Sequence, residues 1–78
     1  MPTILTISGF RFFFYANDHI PKHVHVEKGE GTAKLNLFPV ELVKSKRMKP
    51  AEIREIRNLV LENRELFNQK WDEYFTRK

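Results

Sequence analysis

Three histidines that lie close together in the chain form its densest set of side chains able to do chemistry. They are His19, His23 and His25, with Asp18 and Glu27 on either side of them. An imidazole titrates near neutral pH, so such groups can exchange protons in catalysis or bind a transition metal. In a strand, the His-x-His spacing places two imidazoles on the same face. The histidines are therefore the first candidates for a functional site.

Three interpretations of these histidines stay open from the sequence. In the first, His19, His23 and His25 exchange protons while Arg11 or Lys34 stabilises an anionic phosphate, as in a ribonuclease-like enzyme, cofactor-free or metal-assisted. In the second, His23 and His25 bind a metal ion, with His19 or Asp18 as the third ligand. Because the His-x-His spacing does not define that third ligand, we expect that the protein binds no metal and no cofactor. In the third, the histidines are structural and alternate with core valines on a solvated sheet face, or form an interface with another chain. Whether the protein is an enzyme is left open.

Basic and aromatic side chains share the predicted sheet face with the histidines. Alternation along the strands separates a wholly apolar face, which should meet the helices, from a face that is polar, basic and aromatic. Aromatic rings stack on unpaired bases, and basic groups contact phosphates. We therefore expect a nucleic-acid or partner face that consists of Phe13, Tyr15, Lys34, Lys44, Lys46 and Arg47.

The first two thirds of the chain have the period-two pattern of strands. Runs rich in β-branched and aromatic residues are separated by turn formers such as Ser8-Gly9 and Gly29-Glu30-Gly31. The predicted strands cover 3–7, 10–15, 23–27, 32–37 and, as a weaker edge strand, 40–43. Short connections between them favour an antiparallel meander of four or five strands.

The last third of the chain changes to a helical period of about 3.6 residues. Pro50 suits the first turn of a helix, where its missing N–H costs nothing. Asn63 interrupts the apolar stripe, which predicts two helices at roughly 51–62 and 64–76.

Strands followed by helices predict a single α+β domain over residues 1–78, with the carboxyl-terminal helices packed on one face of the sheet. The strands occupy roughly 3–43 and the helices roughly 50–76. The predicted core brings the strand residues Phe12, Phe14, Val24, Val26, Leu35 and Leu37 against the helix residues Ile53, Ile56, Val60, Phe67 and Trp71. Because the valines of the third strand profit from burial, His23 and His25 should project from the opposite side of the sheet, exposed beside Arg11 and Tyr15.

Composition limits the class of protein. The chain has 78 residues, 41% of them hydrophobic and 31% charged, which is typical of a small globular domain whose site is shallow or shared with a partner. It has no cysteine, which excludes disulfide frameworks, cysteine–zinc sites and thiol nucleophiles. The apolar runs are too short to span a bilayer and no leader pattern is visible, so we expect a cytoplasmic protein that does not associate with membranes. The net charge is +4, with the excess concentrated in residues 27–50.

Several segments spread over nearly the whole chain also have the sequence pattern of one protein family. They are Pro2-Thr3-Ile4, Phe10-Arg11-Phe12-Phe13-Phe14-Tyr15, Pro21-x-His23-Val24-His25-Val26, Ala33-Lys34, Pro39-Val40, Glu62-Asn63-Arg64-Glu65-Leu66 and Trp71-Asp72-Glu73-Tyr74-Phe75. In these segments the chain resembles a small bacterial family of domains of unknown function, number 4160. Members commonly carry two prolines before the His-Val-His-Val core, and Lys22 replaces the second one here.

The resemblance implies a bacterial, cytoplasmic protein that is the toxin-like component of a toxin–antitoxin pair. Its partner would be a small antitoxin-like protein encoded nearby, and the resemblance supplies no catalytic residues. The leading hypothesis is a toxin-like protein that acts on RNA through the face bearing the histidines. The alternative is a non-catalytic protein–protein interaction module in which the histidines are structural.

Overall fold

Five antiparallel strands and two helices make up the fold in a computed structural model, which describes residues 3–15 and 17–76. The strands are β1 (Thr3–Ile7), β2 (Phe10–Phe13), β3 (His23–Lys28), β4 (Gly31–Leu37) and β5 (Val40–Lys46). Each strand pairs with the next one along the chain, so the sheet has the order β1-β2-β3-β4-β5. The predicted meander is confirmed, with five strands.

Two strands differ in length from the prediction by more than one residue. β2 ends at Phe13 rather than at Tyr15, because the backbone N–H of Tyr15 donates to the side chain of Asp18 at 2.9 Å. β5 continues to Lys46 rather than ending at Val43, and Lys46 lies opposite Thr32 of β4. Charged side chains on a solvated face do not prevent an edge strand from pairing. The apolar pattern therefore underestimated the length of β5.

The two predicted helices are confirmed as α1 (Pro50–Glu62) and α2 (Arg64–Thr76). At the start of α1, the backbone N–H of Lys49 donates to Oε1 of Glu52 at 2.9 Å. At its end, the side-chain amide of Asn63 donates to the carbonyl of Leu59 at 2.8 Å. The same carbonyl accepts the backbone N–H of Asn63 at 3.0 Å, and with these two bonds Asn63 separates the helices as predicted.

The core lies between the helices and one face of the sheet. Its fully buried side chains include Phe12, Phe14, Val24, Val26, Leu35, Leu37, Ile56, Val60 and Phe67. The Phe12 ring lies 5.3 Å from that of Phe67, and the Phe14 ring lies 5.3 Å from that of Trp71. The predicted register of the sheet is thus confirmed, although Ile53 is only half-buried. Within the described chain, neither helix is long and apolar enough to cross a membrane.

Candidate functional site

The connection between β2 and β3 carries Asp18 and is held in place from two sides. Oδ2 of Asp18 accepts the backbone N–H of Tyr15 at 2.9 Å, and the N–H of Asp18 donates to the carbonyl of Tyr15 at 3.1 Å. Nζ of Lys22 lies 2.6 Å from Oδ1 of Asn68 and 3.0 Å from Oδ1 of Asp72, both in α2. Lys22 therefore ties this connection to the helix.

His23 is buried rather than free in solvent. The residue is 3% exposed, and its ring lies 5.0 Å from that of His25 and 5.1 Å from the indole of Trp71. The prediction that His23 projects exposed from the far face is wrong, because Trp71 and the connection bearing Asp18 cover it. His25, one pleat further along β3, is partly exposed.

The two imidazoles converge on one carboxylate, and we call Asp18, His23 and His25 the Asp18 cluster. Nε2 of His23 lies 3.1 Å from Oδ1 of Asp18, and Nε2 of His25 lies 3.2 Å from Oδ2. One donor atom from each residue falls within 4.8 Å of the other two. His19 is exposed and does not belong to this group. Asp18, rather than His19, completes the group, because the turn with Tyr15 directs the Asp18 carboxylate toward the two imidazoles.

Burial and hydrogen bonding together lower the pKa values of two members of this cluster, His25 and Asp18. Burial lowers the pKa of His25 and outweighs the opposite effect of the Asp18 carboxylate. Burial alone would raise the pKa of Asp18, but hydrogen bonds to the carboxylate, above all the one from the Tyr15 amide, outweigh it, so that pKa is lowered. Near neutral pH the cluster therefore combines an ionised carboxylate with a neutral His25, a set able to take up a proton or a metal cation.

Arg11 and Phe13 lie beside the cluster but have other partners. Nη2 of Arg11 lies 3.1 Å from Oε2 of Glu27, and its guanidinium carbon lies 4.3 Å from the centre of the Phe13 ring. Phe13 is only 3% exposed, beneath Arg11 and stacked on His25 with ring centres 5.5 Å apart. The prediction that Phe13 offers a ring for base stacking is therefore wrong, because these neighbours cover it.

A groove of about 490 Å³, which we call the lysine groove, runs across the same face of the sheet. Its lining includes Tyr15, His25, Lys34, Lys44 and Lys46. The lining also includes the nearly buried Phe13, so five of the six residues predicted for this face are brought together; Arg47, which follows β5 with a positive φ of 57°, is outside this lining. Among the described residues, no ion pair involves the three groove lysines.

A second groove, of about 430 Å³, adjoins the lysine groove at Lys34, which lines both. Asp18, His23 and Asn36 contribute to its wall, together with the exposed His19. Within the Asp18 cluster, Asp18 and His23 thus line this second groove, whereas His25 lines the lysine groove. From the sequence, Asp18 is only an alternative metal ligand, whereas in the structure both imidazoles converge on its carboxylate.

One family model matches residues 9–72, which is most of the chain, and describes a domain of unknown function, DUF4160. The family predicted from the sequence segments is confirmed by this match. No curated protein and no solved structure matches the chain. A functional argument therefore depends on the side chains described above.

Proposed function

We propose that this chain, which belongs to the domain family DUF4160, binds single-stranded RNA in its lysine groove, as the toxin-like component of a toxin–antitoxin pair. The observation that carries the proposal is a set of three lysines that form no ion pair within the described part of the chain and lie around a half-exposed tyrosine.

The charge of the groove calls for an anionic ligand. Lys34 lies directly opposite Lys44 in the β4–β5 ladder, and Lys46 follows Lys44 at the spacing that shares its face. Like charges opposite each other destabilise a sheet, and no ion pair of the described residues relieves these. A nucleic-acid backbone would supply the missing negative charge and release its own counterions on binding.

The aromatic part of the groove favours an unpaired base. Tyr15 is 43% exposed, and its ring meets that of His25 edge to face, with centres 4.6 Å apart. A ring held by a second ring offers a fixed surface on which a base can stack without sequence preference. Stacking of this kind requires bases outside a duplex, which is why we propose a single-stranded ligand.

The toxin-like role in this proposal is taken from the resemblance of the sequence segments, since the family model describes only a domain of unknown function. A toxin-like protein that acts on RNA works in the cytoplasm, and a small antitoxin-like protein encoded nearby would silence it. Because the groove is shallow and basic, the antitoxin would have to cover the lysines with a surface of opposite charge.

Two measurements test this function. Fluorescence anisotropy with a short labelled RNA should show binding that is weaker for duplex RNA and weakens as salt increases. Induced expression in bacteria should arrest growth, and co-expression of the neighbouring gene should restore it.

Absence of RNA binding at low salt would refute the proposal. If the purified neighbouring protein binds while RNA does not, the domain is a protein–protein interaction module instead. If expression is harmless but the protein still binds RNA, only the toxin role is refuted.

A further inference from the structure

We infer that Asp18, His23 and His25 form a binding site for a divalent transition-metal ion of the zinc class. This inference does not depend on RNA binding, since it concerns three donor atoms rather than the lysines: Asp18 and His23 line the second groove, and His25 lines the lysine groove beside it.

The orientation of the His23 ring provides the first argument. Its Nδ1 lies 2.8 Å from the carbonyl oxygen of Pro21, which can only accept a hydrogen bond, so Nδ1 carries the proton. In the neutral ring, Nε2 then has a lone pair and no hydrogen. This nitrogen is buried and has no hydrogen-bond partner among the described residues, although Oδ1 of Asp18 lies only 3.1 Å away, out of line.

A lone pair that faces a carboxylate oxygen is unfavourable, and a buried polar atom without a partner costs free energy. A metal ion between Asp18 and His23 would satisfy both atoms at once. The alternative is a proton on Nε2, which would make His23 an imidazolium paired with Asp18.

The spacing of the donor atoms provides the second argument. Zinc lies about 2.0–2.2 Å from nitrogen and oxygen ligands, so the ligands of a tetrahedral site are about 3.2–3.6 Å apart. The carboxylate of Asp18 already lies 3.1 Å from Nε2 of His23 and 3.2 Å from Nε2 of His25. For the ion to bind, the two imidazoles, within 4.8 Å of each other, have to approach, and the Nε2 proton of His25, which donates to Asp18, has to move to Nδ1.

Groups around the ligands fix their orientation in the manner of metal sites. A histidine that binds metal through one nitrogen commonly donates the other N–H to a carbonyl or carboxylate, as His23 does to Pro21. The amide of Tyr15 donates to Asp18 at 2.9 Å and holds the carboxylate in place.

The donor set determines the class of metal. Two imidazoles and one carboxylate suit zinc, cobalt, nickel or ferrous iron, whereas magnesium and calcium prefer oxygen ligands alone. Three protein ligands leave a coordination position open, which would face the groove that Lys34 and Asn36 line.

Calorimetric titration of tag-free, chelator-treated protein with zinc chloride tests the inference, with magnesium chloride as the comparison. We expect one zinc ion per chain and no magnesium binding. Asp18→Asn and His25→Gln should each weaken zinc binding by at least about tenfold. His19→Ala, which removes an exposed imidazole outside the cluster, should change the affinity by less than about twofold.

Because His23 is buried, its protonation is measured in the folded wild-type protein rather than in a variant. Imidazole ¹⁵N NMR with saturating zinc should show Nδ1 of His23 protonated and Nε2 without a proton. The inference is overturned if zinc does not bind stoichiometrically, if His19→Ala weakens binding as much as His25→Gln, or if Nε2 of His23 stays protonated in excess zinc.

Discussion

The steepness with which salt weakens RNA binding reports how many groove lysines contact phosphates. Each phosphate contact to a single strand contributes about −0.7 to the slope of log K against log salt. Contacts from Lys34, Lys44 and Lys46 therefore predict a slope of about −2 from the lysine groove. Lys44→Gln removes one contact, so the slope should become less steep by about 0.7 and the affinity at low salt should fall.

Lys70→Gln is the matched control, because it changes the net charge equally but lies on α2. Nζ of Lys70 is 3.7 Å from Oε1 of Glu73, and the residue is outside both grooves. Anisotropy titrations of the wild type, Lys44→Gln and Lys70→Gln over a series of salt concentrations give the three slopes. Only Lys44→Gln should alter the slope. Equal changes in both variants would mean that net charge, not the groove, binds RNA.

Three further substitutions test the core, a close backbone contact and the stacking surface, and a fourth serves as the control for the core. Phe12→Ala should lower the free energy of unfolding by about 3–5 kcal/mol in urea titrations, whereas Leu61→Ala, at a half-exposed position, should change it by less than about 0.5 kcal/mol. Gly31→Ala should cost about 1–3 kcal/mol in the same assay, since a Cβ there would lie 2.6 Å from the carbonyl oxygen of Arg47; an unchanged midpoint would contradict this contact. Tyr15→Ala should weaken RNA binding by about 1–3 kcal/mol and leave the salt slope unchanged, and a changed slope would argue against stacking.

The fold could be predicted from the sequence because local signals agreed with the global arrangement. Alternation in β3 and β4 placed Val24 and Leu35 on the helix side, and both are fully buried. Asn63 marked the break between the helices by interrupting an apolar stripe. The prediction was wrong at the end of β2, where the Asp18 side chain, rather than a neighbouring strand, takes the N–H of Tyr15.

The site could be predicted only in part. Alternation along a strand assigns each side chain to a face of the sheet, but it does not show which distant residues pack over the side chains at the end of the strand. His23 is on the pleat that the pattern assigned, yet Trp71, 48 positions later in the chain, packs against its ring. The role of Asp18 depends on a turn whose geometry its neighbours do not specify. The sequence also led us to expect no cofactor, a prediction that zinc binding at the Asp18 cluster would overturn.

A nuclear magnetic resonance titration of ¹⁵N-labelled protein with short single-stranded RNA tests the central claim most directly. If RNA binds in the lysine groove, the amide shifts should change most for Tyr15, His25, Lys34, Lys44 and Lys46, while the solvent-facing side of α1 and α2 stays unchanged. Shift changes centred on the helices, or no changes at low salt, would contradict the account.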